Sequence, residues 1–327
     1  MAKADKSHKR QHYVPQCYTK AWHDLASPAG LAKTPYVWVF DRDGATARRR
    51  APANLFAEND IYTIVRPDGQ RDLRLEYGFQ ELEDMFTRIR NLKVNRRVWP
   101  DSEDWAWVLG FVATAKARTV AHRDFHRQQW GGIRKRMEEF QAVLDAAPRE
   151  RRGAMTRMAN VSPGSGKGMD IEDVRRLEAQ PIQEMIGPTL RTVIPALGRM
   201  HIGVLCTVDP LGFVTSDDPC TWFDPEAYKL QPIYRSPGLG VATIEVTLPI
   251  SPKQCLIITH RLDLQGYIDV DQRLVDELNR RHIGHSKQVF ISHSQTTRPA
   301  WFEQRPMPED AWEEVRERKI ASGEWPA

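Results

Sequence analysis

A few short stretches of this chain carry side chains suited to acid–base, clamping or metal chemistry. His12, Tyr13 and Gln16 fall within five residues. Pro15 keeps the segment extended, because the residue before a proline is pushed out of the α region. Imidazole, phenol and amide can then donate and accept together. Glu76 and Glu83 are seven residues apart, which on a helix puts both on one face, one step round from an apolar stripe. Carboxylates so placed hold a divalent cation, act as a general base, or neutralise a nearby cation. Val108, Phe111, Ala115, Arg118 and His122 lie within about 60° of one another on a helix, so Arg118 falls inside an apolar stripe. Out of water its guanidinium needs a carboxylate or an anion, and Glu76, Glu83 and Asp217 are the candidates.

Taken as one site, these residues describe a metal-assisted hydrolase of the nuclease or phosphodiesterase kind. His12, Glu83 and Asp217 would ligate Mg²⁺ or Mn²⁺ or activate water, Arg118 would neutralise developing phosphate charge, and Asn279 would orient the substrate. Tyr13, Gln16, Glu76 and Ser216 would contact the substrate, with Arg48, Arg49 and Arg50 receiving phosphates. The alternative is a non-catalytic module, in which the same polar cluster locks the fold and the basic surface receives nucleic acid or a protein. Each piece also has a plainer role: a structural ion pair for Arg118, an Asx turn before Pro219 for Asp217, and a helix surface for His122 and His126.

Charge is uneven along the 327 residues. Residues 1–50 hold ten Lys or Arg against four acids, and residues 115–136 hold seven against Asp124 alone. From residue 303 onward seven acids face four bases. A basic N-terminal half suits a phosphate-bearing partner, although solvated surface charge alone would look the same. Other chemistries fail on inspection. Gly164-Ser165-Gly166-Lys167-Gly168 has Val161 where a P-loop needs glycine and no Ser or Thr after the lysine. Gly238-Leu239-Gly240 lacks the third glycine of a dinucleotide fingerprint, and no GxSxG or HExxH motif occurs. Four cysteines without CxxC spacing argue against a zinc cage or a disulfide framework. No apolar run approaches the roughly 20 residues of a membrane span. With a charged stretch over residues 1–10, the expectation is a cytoplasmic protein.

The elements that must hold these residues follow from periodicity. Tyr36 to Phe40 is β-forming and meets an Asp43-Gly44 turn, and residues 60–65 predict a second strand. Leu75, Phe79, Leu82, Phe86 and Ile89 make a helical stripe. A capped helix starts after Pro100 and is expected to persist to about Leu144, bent at Gly131-Gly132. Residues 148–170 read as a mobile connection, and helices resume near Ile171 and Pro181. Strands follow at 201–208, 213–216, 241–249 and 254–260, then a helix over 271–286 and a strand over 289–292. The prediction is an α+β fold: a central helical unit, about 73–200, packed on a mixed or antiparallel sheet formed by N- and C-terminal strands. Residues 1–24 would be a basic arm, 25–300 a single domain and 301–327 an acidic tail.

Five motifs in order give the chain a family likeness. His12-Tyr13-Val14-Pro15-Gln16, Glu76 and Glu83 ahead of Arg118, Ser216-Asp217-Asp218-Pro219, Leu248-Pro249-Ile250-Ser251-Pro252 and Asn279 together resemble the domain of unknown function 4238 family, over about residues 10–293. Members usually carry Asn where this chain has Asp218. The resemblance implies positions to watch and no activity.

Overall fold

A computed structural model describes residues 9–24, 35–66, 68–148, 150–153, 169–304 and 311–324. The expected connection 148–170 and the Gly164 to Gly168 segment fall mainly outside them. The chain opens with β1 (Arg10–His12) and the single turn α1 (Gln16–Thr19). The hairpin β2 (Val37–Asp41) and β3 (Ala47–Arg50) follows, then the short strands β4 (Ala57–Asn59), β5 (Ile64–Val65) and β6 (Arg71–Asp72). The helical middle comprises α2 (Arg74–Leu92), α3 (Ser102–Ala117), α4 (Val120–Ala146), α5 (Ile171–Ala179) and α6 (Pro181–Leu197). Strands β7 (His201–Cys206), β8 (Thr215–Ser216), β9 (Thr221–Phe223), β10 (Glu245–Ser251), β11 (Gln254–Thr259) and β12 (Gly266–Asp269) lead to α7 (Gln272–His285), β13 (Val289–Ser292) and α8 (Trp312–Ala321).

The fold is α+β, and both sequence ends do share a sheet. β2 pairs with β13, giving the order β3-β2-β13-β8. β2 is buried on both faces, with Val37 and Val39 on one core cluster and Trp38 and Phe40 on another. That explains a continuous apolar run where a half-exposed strand would alternate. The hairpin turn needs Gly44: its φ is +73°, and a Cβ there would meet the Phe302 ring at 2.4 Å. A second sheet, β12-β7-β11-β10-β9, comes from the C-terminal half alone and is mixed, because β12 runs parallel to β7.

Two local expectations need correction. Residues 60–65 do not form one strand, since Asp60 is left-handed at φ 55° and only Ile64 and Val65 pair with β6. The Tyr62 N–H is captured instead by Gln11 Oε1 at 2.7 Å. The long helix breaks at Arg118 and Thr119, not at the glycine pair. Thr119 caps α4 by accepting from the His122 N–H at 3.1 Å, and α4 runs unbroken through Gly131 and Gly132. The described parts near both ends also contribute to the core. Val14, Tyr18 and Trp22 are core residues, and Trp301 is buried with its indole donating to Asp276 at 2.6 Å.

Tyr18 is the joint between the sheets. Its hydroxyl donates to the Pro249 carbonyl on β10 at 2.6 Å and bonds the Thr215 hydroxyl on β8 at 2.6 Å. Trp22 adds a 2.7 Å bond to the Phe213 carbonyl. On α7, His282 is fully buried between the hydroxyls of Thr221 (3.0 Å) and Thr247 (3.2 Å), and burial pulls its pKa down to about 3.

Tyr18→Phe leaves a buried carbonyl and hydroxyl without their partner and should cost about 1–3 kcal/mol in urea unfolding; an unchanged midpoint would contradict the joint. For His282 the folded pKa lies below the unfolded 6.5, so the unfolded chain binds the extra proton between these values. Its contribution is present above pH 6.5 and is lost as pH falls toward 3. Unfolding measured from pH 6 to pH 4 should show a slope shallower in His282→Asn than in the wild type by up to about 1.4 kcal/mol per pH unit. Identical slopes would mean that His282 is protonated inside the fold.

Candidate functional site

Strand alternation decides which N-terminal side chains can work together. β1 pairs with β4, with Gln11 opposite Glu58 and His12 opposite Ala57. Gln11 turns inward, donating to Thr63 Oγ1 at 3.2 Å. His12 takes the other side and lines an open cavity of about 390 Å³. Tyr13, one residue on, lines a separate small cavity of about 70 Å³ with Glu58 and Asp217.

The wall opposite His12 is α2. Glu76, Gln80 and Glu83 recur at i, i+4 and i+7 and all line the 390 Å³ pocket, joined by Asp84. Gln16 and Cys17 of α1 complete the near side, with Arg10 and Lys20 supplying positive charge. Behind Glu83 lies Arg118, 1% exposed, whose Nη1 donates to Glu83 Oε1 at 2.8 Å. The guanidinium sits over the Phe79 ring at 5.2 Å, and the Arg118 carbonyl accepts from the Tyr62 hydroxyl at 3.4 Å. Burial is the largest single influence and opposes its charge, yet the Glu83 carboxylate together with Tyr62 and Cys17 more than offsets it, and the pKa rises. Arg118 therefore acts on Glu83 and does not reach the pocket, which corrects its expected role as a clamp on phosphate.

His12 Nε2 is 3.3 Å from the Ala53 carbonyl, which can only accept, so Nε2 carries the proton and Nδ1 keeps its lone pair. The Gln16 amide lies 3.5 Å from Nδ1. Burial, followed by smaller contributions, holds the His12 pKa below its ordinary value, which favours the neutral ring. Cys17, its Sγ 3.6 Å from Glu83 Oε2, is pushed up to about 11 by burial and by that carboxylate. It stays a thiol at neutral pH and is a poor nucleophile.

The other expected residues do not join this pocket. The Asp217 carboxylate accepts three backbone N–H groups, from Lys287 (2.8 Å), Gln288 (2.8 Å) and Val289 (3.2 Å), and so pins the entry to β13. Asn279 accepts from the Val214 N–H and donates to the Gly212 carbonyl, each at 2.9 Å, which ties α7 to the turn before β8. The Ser216 hydroxyl closes a turn onto Asp218. Among the described residues no group of three His, Cys, Asp or Glu is placed to hold a metal ion, so the His12, Glu83 and Asp217 triad is not assembled. Arg48 pairs with Asp41, Arg49 lies 4.8 Å over both Tyr36 and Trp38, and Arg50 is exposed with them on the edge strand β3.

Asp218 anchors a second cluster that sequence reasoning missed. It lies 3.0 Å from His285 Nε2 and 3.5 Å from Lys116 Nζ, and despite burial the Lys116 ammonium and the His285 hydrogen bond hold its pKa down. The buried Asp218 carboxylate therefore has its charge matched by Lys116. His122 and His126 meet at 2.9 Å between their Nε2 atoms. Burial, then His126, pulls His122 down to about 4. Gln80 and Asp84 were detectable in principle, since they extend the Glu76 and Glu83 face by helical spacing. Cys17 and Lys20 gave no sign.

Compared with known proteins, residues 10–296 match the family described as protein of unknown function (DUF4238). No curated protein and no solved structure matches. Among the described residues no helix is long and apolar enough to cross a membrane.

The Arg118 and Glu83 pair is lopsided, with side chains 1% and 24% exposed. Glu83→Ala strands a buried guanidinium and should cost about 3–5 kcal/mol. Arg118→Met leaves a carboxylate that water reaches and should cost less, about 1–3 kcal/mol. Urea unfolding checks the order; an equal or reversed order would mean that Arg118 is not held by Glu83.

Proposed function

We propose that this chain, which belongs to the DUF4238 family, is a hydrolase whose working pair is His12 and Glu83, acting on a phosphate-bearing substrate. One observation carries the reading. In an open pocket of about 390 Å³, a carboxylate held from behind by a buried arginine shares the walls with an imidazole biased to its neutral form. A carboxylate locked in one rotamer costs no reorganisation during reaction. The Nδ1 lone pair of His12 suits general-base work near neutral pH. In the step proposed, His12 takes a proton from water, the water oxygen bonds phosphorus, the bond to the leaving oxygen breaks with its electron pair on that oxygen, and the His12 imidazolium then gives its proton to it, releasing the alcohol. Arg10 and Lys20 would offset the charge on the phosphoryl oxygens.

Three carboxylates in this pocket, Glu76, Glu83 and Asp84, bear on the metal question. Mg²⁺ is commonly held by one or two carboxylates together with substrate phosphates, so a complete protein cage is not required. One or two of these carboxylates, with the substrate's own phosphate oxygens, would hold Mg²⁺ or Mn²⁺ arriving with the substrate. A non-catalytic binding module is the second reading, favoured by the full use of Asp217 and Asn279 as backbone ties.

The two readings separate in one assay. The wild type is incubated with bis(p-nitrophenyl) phosphate, p-nitrophenyl phosphate, single-stranded DNA and RNA, each with Mg²⁺ or Mn²⁺. Turnover of at least one substrate is expected, and His12→Ala should lower kcat by about 10²-fold or more with little change in binding. Binding without turnover would favour the module, and equal turnover in His12→Ala would remove His12 from the chemistry.

A further inference from the structure

We infer that the chain has a second ligand site, for a compact dianion, at the far end of α2 from the His12 pocket. After α2 the chain makes a 3₁₀ turn, Val94–Arg96, and Arg97 then adopts the left-handed conformation at φ 56°. A side chain other than glycine is disfavoured there. This turn faces the end of the five-stranded sheet across a cavity of about 490 Å³. That size accommodates a small metabolite.

The charge in this cavity is one-sided. Arg96, Arg97 and Lys253 line it, with Asn95, Thr207 and Ser251 as neutral hydrogen-bonding groups, and no carboxylate is among the described lining residues. Arg97 is matched by Asp269 on its outer side. Arg96 makes no ion pair among the described residues. The Lys253 ammonium rests on the Val208 and Asp209 carbonyl oxygens, at 3.4 and 2.6 Å, and makes no ion pair among the described residues. Two basic residues without an ion pair among the described residues, Arg96 and Lys253, therefore line one concavity, an arrangement that an oxyanion stabilises.

The walls are tied together. Gln254 of β11 donates to the Val94 carbonyl at 2.9 Å, which locks the 3₁₀ turn to the sheet. Val94 is 11 residues beyond Glu83, about 17 Å along the chain at helical rise, and the two pockets share no lining residue. A guanidinium fork, an ammonium and two hydroxyls match either a phosphate ester or a dicarboxylate.

Isothermal titration at low ionic strength tests the site, with inorganic pyrophosphate in one arm and succinate in the other. The proteins are the wild type, the Arg96→Gln/Lys253→Gln double variant, whose altered residues are exposed, and Glu83→Gln. Saturable one-to-one binding is expected in the wild type and in Glu83→Gln. The double variant should bind about tenfold more weakly. Whichever probe binds more tightly identifies the anion class. Absence of saturable binding by either probe, or equal affinity in the double variant, would overturn the site. Loss in Glu83→Gln with retention in the double variant would also overturn it, by placing the anion in the His12 pocket, and would leave the hydrolase reading standing.

Discussion

A guanidinium taken out of water must find a carboxylate, and Arg118 finds Glu83. Much of the site's geometry can be traced to that pairing. To bring Arg118 against α2, α3 stops at Ala117 and a new helix starts at Val120. The carbonyl exposed by the break lies 3.4 Å from the Tyr62 hydroxyl, which also reaches the His12 carbonyl at 3.1 Å, and Thr119 caps the new helix. On the α2 side the same contact fixes Glu83 against the pocket, in line with Glu76 and Gln80. The arginine thus contributes to chemistry only by positioning, because its own side chain is sealed.

The polar residues divide by the side of the N-terminal strand on which they fall. His12 looks to α2, while Tyr13 looks to Asp217 and the start of β13. On that second side three buried polar groups have structural partners. Asp217 holds three amides, Asn279 holds the 212–214 turn, and His282 bridges two threonine hydroxyls. Buried polar groups so satisfied hold α7 and both sheets in register, and this rigidity is what a preorganised pocket on the other side requires. Tyr18, bonded to both sheets, connects the two sides.

Local patterns in the sequence were enough to find β2 and its turn, the α2 stripe, the shared face of Glu76 and Glu83, and the need of Arg118 for an acid. Each depends on spacing within one element. The partners of Asp217 lie some seventy residues away, and nothing in its neighbourhood announces them. Residues 60–65 carry strand-forming side chains, but Gln11, some fifty residues earlier, captures the Tyr62 amide and turns the chain. Periodicity carried the helical stripe past Arg118 because it registers side-chain polarity, whereas the break is made by a threonine cap and a tyrosine from another element. The second pocket was invisible for the same reason: Arg96 and Lys253 meet only after the β10 and β11 hairpin is laid against the end of α2.

The central claim is that Arg118 and Glu83 act as one energetic unit that fixes the pocket carboxylate. A double-mutant cycle in urea unfolding, with Arg118→Met, Glu83→Gln and the combination, measures that unit directly. A coupling energy of about 2 kcal/mol or more is predicted. A coupling below about 0.5 kcal/mol would show that the two side chains are stabilised independently, and the account of the site built on their pairing would fall.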